Sequence, residues 1–116
     1  ELWNIPNVKS NHPEKTSHPC QYPIELVERC VLALSNENGW VLDPFNGVGS
    51  AVIAALKNGR QALGIDKDKE YCNLALKRIE ELNEGTLKTR PINKPIHKPS
   101  KKDKISQVPK EWEKLV

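Results

Sequence analysis

Methionine is absent from all 116 residues, phenylalanine occurs once, and no apolar run approaches the roughly 18 residues that a bilayer-crossing helix needs. No signal-peptide pattern opens the chain. A membrane span and a secretory leader are therefore not readings these residues support, and a soluble, cytoplasmic protein is expected. With no methionine there is no start site, so a piece of a longer protein is expected too. Cysteine is sparse: Cys20, Cys30 and Cys72 are the three. An odd number without secretory spacing predicts reduced thiols inside a cell and no disulfide framework, and no cluster has metal-ligand spacing.

The charge that is present is unevenly placed. Residues 1–87 hold nine Lys or Arg against twelve Asp or Glu, whereas residues 88–116 hold nine against three, with four of the chain's nine prolines. This divides the chain into a domain at 1–87 and a basic, Pro-rich C-terminal tail at 88–116. The tail sequence "KTRPINKPIHKPSKKDK" has the charge to contact phosphates, but also the composition of a solvated terminus. At its end, "VPKEWEKLV" places Trp112, Leu115 and Val116 at helical spacing and predicts a short terminal helix.

Within 1–87 the pattern alternates. After a loop-like start, Pro23 suits a first helical position, and Ile24, Val27, Val31 and Leu34 recur with helical period until Asn38 and Gly39. "WVLDP" is a short apolar run that predicts a buried strand. "SAVIAALKNG" predicts a helix from Ser50 that stops at Gly59, and "QALGID" a second strand. Asp68 suits the cap of a helix to about Asn83, with Tyr71, Leu74, Ala75, Ile79 and Leu82 on one side. Strands separated by helices imply a parallel α/β sheet of the doubly wound kind, of which two strands are only part.

Between the first strand and its helix lies "DPFNGVGS". Gly47 and Gly49 let the backbone approach a ligand, and Asp66, 19 residues after Gly47, ends the second strand where a carboxylate accepts hydrogen bonds from ribose hydroxyls. A nicotinamide-dinucleotide loop requires G-x-G-x-x-G, but Val52 occupies the third glycine position. A phosphate-binding P-loop requires Gly-Lys-Ser/Thr, and this loop ends Gly-Ser-Ala. The first of these readings is thereby weak and the second fails; a third is S-adenosylmethionine, a nucleoside with a ribose but no phosphate.

"DPFNGVGS" closely resembles the D-P-F-x-G-x-G-S/T loop of DNA amino-methyltransferases that modify adenine N6 or cytosine N4. "HPCQYP", about 20 residues earlier, resembles the H-P-x-Q-x-P segment that precedes that loop in the family's beta arrangement. "DKDKEYCNLALKRI" resembles the family's helix after the ribose acid, and the likeness extends over roughly residues 2–82. It implies a Rossmann-like S-adenosylmethionine-dependent methyltransferase fold, here only part of the parallel sheet with flanking helices.

By position, the resemblance makes Phe45 the aromatic near the adenine ring, Gly47 and Gly49 the loop glycines, and Ser50 a hydroxyl beside the cofactor. Asp43 resembles the acid at the loop entrance that helps hold the amino-acid end. Asp66 resembles the ribose acid, and His18 and Gln21 the polar groups closing the methionine end. Ile65 and Lys67 would border the adenine. The implied partner is double-stranded DNA with a flipped target base. Adenine N6 is the expected acceptor, in a restriction-modification setting that leaves room for a homodimer. Cytosine N4 transfer, an RNA or small-molecule acceptor, and a non-catalytic nucleotide-binding module remain as alternatives.

Pro19-Cys20 also resembles the nucleophile of 5-carbon cytosine methyltransferases. In that class, however, the Pro-Cys follows the cofactor loop, and the loop usually reads Asp-Leu-Phe. An exocyclic amine needs no covalent enzyme intermediate. Cys20 is therefore expected to be a small, half-buried spacer. The family's catalytic Asp/Asn/Ser-Pro-Pro-aromatic loop is missing, since no Pro-Pro dipeptide occurs in the sequence. No catalytic residue is assigned, and the resemblance implies that a preceding segment or a second chain supplies that loop.

Overall fold

The alternating pattern folds into five elements, described by a computed structural model for residues 2–98 and residue 100. Helix α1 spans Ile24–Leu34, strand β1 Trp40–Asp43, α2 Ser50–Lys57, β2 Gln61–Gly64 and α3 Lys69–Asn83. The strands pair in parallel, with Trp40 opposite Gln61 and Asp43 opposite Gly64. The ladder continues past β2, because the Ile65 amide donates to the Asp43 carbonyl at 2.9 Å and the Asn46 amide to the Ile65 carbonyl at 2.9 Å. This extension ties the loop after β1 to the end of β2, and so positions everything described below.

Helix α2 is the centre of the packing. Its residues Ser50 to Ala55 are all buried, and Ile53, Ala54 and Ala55 have no exposed surface. Three alanines allow α1 and both strands to approach closely. Ile24, Ile53 and Ala54 form the core, joined by half-buried Val27, Ile79, Leu82 and Leu87. Asp68 caps α3 as its residue type predicts, accepting from the amides of Glu70 at 2.8 Å and Tyr71 at 3.4 Å.

Two differences from the sequence-based expectation stand out. The strands are half-buried, and on one face only: Val41, Asp43, Ala62 and Gly64 are partly covered, whereas Trp40, Leu42 and Leu63 remain 68%, 60% and 52% exposed on the face away from α2. A continuous apolar run predicts burial on both sides, yet no element of the described residues covers the second face. Leu34, expected in the apolar stripe of α1, is also exposed, because the helix ends there.

The chain just after residue 87 is held against the domain. The Arg90 guanidinium pairs with Glu25 at 2.7 Å, with both side chains buried, and its backbone amide donates to Glu14 at 2.9 Å. Glu14 also accepts from the Ile24 amide at 2.8 Å, so a buried carboxylate ten residues upstream caps α1, where Pro23 offers no side-chain cap. The predicted helix around Trp112, Leu115 and Val116 lies outside the described residues.

Candidate functional site

The turn after β1 is built around Asp66. Its Oδ2 accepts the Gly47 amide at 2.8 Å, and its Oδ1 accepts the Asp68 amide at 2.9 Å. These two bonds, the Asp68 amide foremost, hold the Asp66 carboxyl below the usual aspartate range, so it is ionised at neutral pH. Two of the roughly four lone-pair sites of a carboxylate are used, leaving two for a ligand. Gly47 has φ +51°, and a Cβ there would lie 3.3 Å from His18 Nε2. Gly49 has φ +80°, and a Cβ on it would meet the Ala75 Cβ at 3.0 Å. Gly47 thus opens the turn towards His18, while Gly49 brings α2 onto α3.

The "HPCQYP" segment closes the other side. The His18 ring lies 4.5 Å from the Tyr71 ring, tilted by 58°, and its Nδ1 accepts the Cys20 amide at 3.1 Å. A neutral ring so bonded carries its proton on Nε2, the nitrogen nearer Gly47. Gln21 is buried and engaged. Its Oε1 accepts from Thr16 and its Nε2 donates to the Glu14 carbonyl at 2.6 Å. Gln21 therefore shapes the segment, with its oxygen occupied by Thr16 and one N–H of its amide left over at the cleft. Cys20 is exposed, where half-burial was expected, and His18 meets its amide and not its thiol.

These parts line two adjoining clefts. One, of about 320 Å³, has walls that include His18, Gly47, Ser50, Asp66 and Tyr71, with Cys20 and Gln21 at its side. The other, of about 470 Å³, is formed by Pro44, Phe45, Ile65, Asp66 and Lys67. Phe45, Asp66 and Lys67 belong to both. Phe45 is 85% exposed, so the core-filling role open to a lone phenylalanine is not the one it takes. The structure brings His18, Gln21, Phe45, Gly47, Ser50 and Asp66 together, but places Asp43 and Gly49 behind the walls. Asp43 accepts from the Tyr22 hydroxyl and from the Phe45 amide, both at 3.0 Å. Burial and the neighbouring Asp43 push the Tyr22 pKa up, so the phenol keeps its proton and donates.

Sequence reasoning missed three contributors. Asn46 is buried beside the loop with its Oδ1 unpartnered, and its side chain occupies space that only Gly64 leaves open, since a Cβ there would lie 2.4 Å from Asn46 Cγ. Arg78 is buried under the loop and donates to the Val48 carbonyl at 2.6 Å. Tyr71 backs His18. Asn46 stands inside the quoted loop motif, so it was visible there. Arg78 follows the helical period of α3 but carries the wrong polarity for a buried face, and a buried cation is legible only once its carbonyl partner is in place.

A DNA methylase family pattern matches residues 1–77. The chain belongs to the DNA methylase family. It is 41% identical over 75 residues to the type II methyltransferase M.BglII of Bacillus subtilis, aligning 65% of this chain with 21% of that protein. With the DNA adenine methyltransferase YhdJ of Escherichia coli K12 it shares 37% identity over 79 residues, 68% of this chain and 27% of that one. Among solved structures, the complex of M1.HpyAVI with S-adenosylmethionine superposes with a TM-score of 0.55 and 42% identity, over 57% of this chain and 33% of that one. This methylase chain thus spans about a fifth to a third of the length of these relatives. The family match at residues 1–77 contains both strands and the loop between them.

Proposed function

We propose that this methylase chain forms the S-adenosylmethionine-binding part of a site-specific DNA amino-methyltransferase that acts on adenine N6. The observation that carries the reading is the 2.8 Å bond between the Gly47 amide and Asp66, which makes the glycine turn and the acid two walls of one small-molecule site. The two clefts, about 320 and 470 Å³, fall within the roughly 300–1,000 Å³ of small-ligand sites. The residues present fit the cofactor. Asp66 has free acceptor positions for two ribose hydroxyls, and Pro44, Phe45 and Ile65 offer an apolar slot for a purine. His18 Nε2 offers a polar contact at the opening where Gly47 lacks a side chain, and Asn46, whose buried Oδ1 is unpartnered, stands in the wall of the same cleft. Asp43 and Gly49 act from behind, by holding the turn. M1.HpyAVI forms a complex with the same cofactor, and YhdJ is named for adenine, which supports the acceptor assignment.

When bound, S-adenosylmethionine supplies an electrophilic methyl group on a sulfonium. The chain's own part is to hold and orient it: Asp66 fixes the ribose, and the turn keeps the methionine end on the His18 side. No Pro-Pro-aromatic loop is present in these residues, so the base-positioning groups are assigned to a preceding segment or a second chain, as is the flipped base they would hold. Isothermal titration tests the binding. Heat with S-adenosylmethionine and none with NAD is expected, and Asp66→Ala should weaken affinity at least about tenfold, the loss of one or two hydrogen bonds to a charged group. Equal binding of both nucleotides, or an unchanged Asp66→Ala protein, overturns the proposal.

A further inference from the structure

A second surface, away from these clefts, has an unusual charge pattern. A groove of about 570 Å³ is lined by Leu2, Trp3, Arg29, Asn93, Lys94 and Lys98, among others. It shares Lys94, Pro95 and Ile96 with a neighbouring groove of about 360 Å³ that adds Lys9 and His12. Among the described residues, neither groove has a single Asp or Glu in its wall, although acids make up 15 of the 116 residues. The acid behind the wall, Glu25, is 1% exposed, and its carboxylate is fully occupied by Arg29, Arg90 and the Asn93 amide. Lys9, Lys94 and Lys98 therefore project a positive field that no carboxylate in these walls cancels.

The groove also has a flat apolar element. Trp3 is 41% exposed, with the Arg29 guanidinium 5.3 Å from its ring centroid on one side. Arg29 is held in place by Glu25 at 3.1 Å and by Asn93, while its buried Nε has no partner. An indole braced by a fixed guanidinium is a platform for a planar base or a sugar ring, and the flanking lysines match the spacing-tolerant charge of a phosphodiester chain. An acidic peptide would satisfy the lysines but not the indole.

We infer that the groove between Trp3 and the 94–98 segment, with Lys9 at its far end, is a docking surface for the DNA strand, outside the cofactor clefts. The inference rests on the methyltransferase reading for the choice of DNA as polyanion. It assigns the segment after α3 a binding role: Arg90 and Leu87 pin it to the domain, and Lys94 and Lys98 present charge to the partner.

The test is fluorescence anisotropy of a labelled single-stranded DNA with the full chain, at several salt concentrations. The paired substitution Lys94→Gln and Lys98→Gln spares the backbone bonds of Lys94. It should lower DNA affinity by about tenfold at low salt and reduce the slope of log affinity against log salt by about 1.4. Trp3→Leu should lower affinity by about fivefold and leave that slope unchanged, the signature of stacking. S-adenosylmethionine binding should stay at the wild-type level in all these proteins. Unchanged affinity and slope in the lysine variant overturn the inference, as does a wild-type chain that does not bind the single strand. Competition by polyglutamate as effective as unlabelled DNA also overturns it, and points to an acidic protein partner. Loss of cofactor binding by the wild-type chain, with the DNA results as expected, would fail the cofactor reading alone.

Discussion

At Asp66 two backbone amides converge on one carboxylate, and the consequence is measurable in acid. The folded-state pKa lies below the ordinary value of 3.8, so the stabilisation from these bonds is complete above that value and is lost as pH falls through the lower folded-state pKa. Asp66→Asn should therefore make the acid limb of a stability-versus-pH curve shallower below about pH 4, as followed by urea unfolding. Arg78 is the other residue on which the loop depends. Burial lowers its pKa, yet a guanidinium stays charged, and its bond to the Val48 carbonyl offsets part of the desolvation. Arg78→Ala leaves that carbonyl unsatisfied and should destabilise the chain by about 2–4 kcal/mol in chemical denaturation, with Arg78→Lys recovering part of the loss. Cys20 has the opposite standing: its thiol is exposed and His18 holds only its amide. Cys20→Ser should bind S-adenosylmethionine with wild-type affinity in the same titration; methylation abolished with cofactor binding intact, assayed with the segment or chain that supplies the catalytic loop, would make the thiol a nucleophile.

Among the elements, β2 shows how a strand shapes a site without contributing a functional side chain. Gly64 ends it directly beneath the buried Asn46 amide, and a Cβ at Gly64 would lie 2.4 to 2.8 Å from three Asn46 atoms. Gly64→Ala should therefore displace Asn46 towards the cleft and cost cofactor affinity by about tenfold or more, while α3 and the helical circular dichroism persist; unchanged affinity in titration would show that the Asn46 position is irrelevant. The order of the five elements and most of their limits were legible in the sequence, because apolar period, glycine stops and the Asp68 cap are local signals. The Glu14 cap of α1 was not. Its partners are ten and 76 residues away, and nothing in the neighbourhood of Glu14 marks it as buried.

At the largest scale, the sheet presents an apolar face that no element of the described residues covers. Trp40, Leu42 and Leu63 lie together there by the strand register, and Ile65, 52% exposed, continues it. Such a face favours association. The chain should self-associate at micromolar concentrations, and the double change Trp40→Lys and Leu42→Lys should shift its elution in size-exclusion chromatography towards monomer without loss of helical content; a monomeric wild-type chain would count against this. The same sheet has its other face closed by α2, whose alanines permit the close approach.

The amino-acid sequence by itself determined the alternation of helix and strand, the turn at Gly47 and Gly49, and the acid just after the second strand, since each depends on residues within a few positions of one another. Only the tertiary structure decided that Asp43 supports the turn from behind, that Gln21 spends its amide on the backbone, that Arg78 braces the loop from beneath while Asn46 lines the cleft, and that Arg90 fastens the basic segment to α1. Those roles depend on which buried polar group finds which partner, and such pairings form between residues far apart in the chain once packing has excluded water.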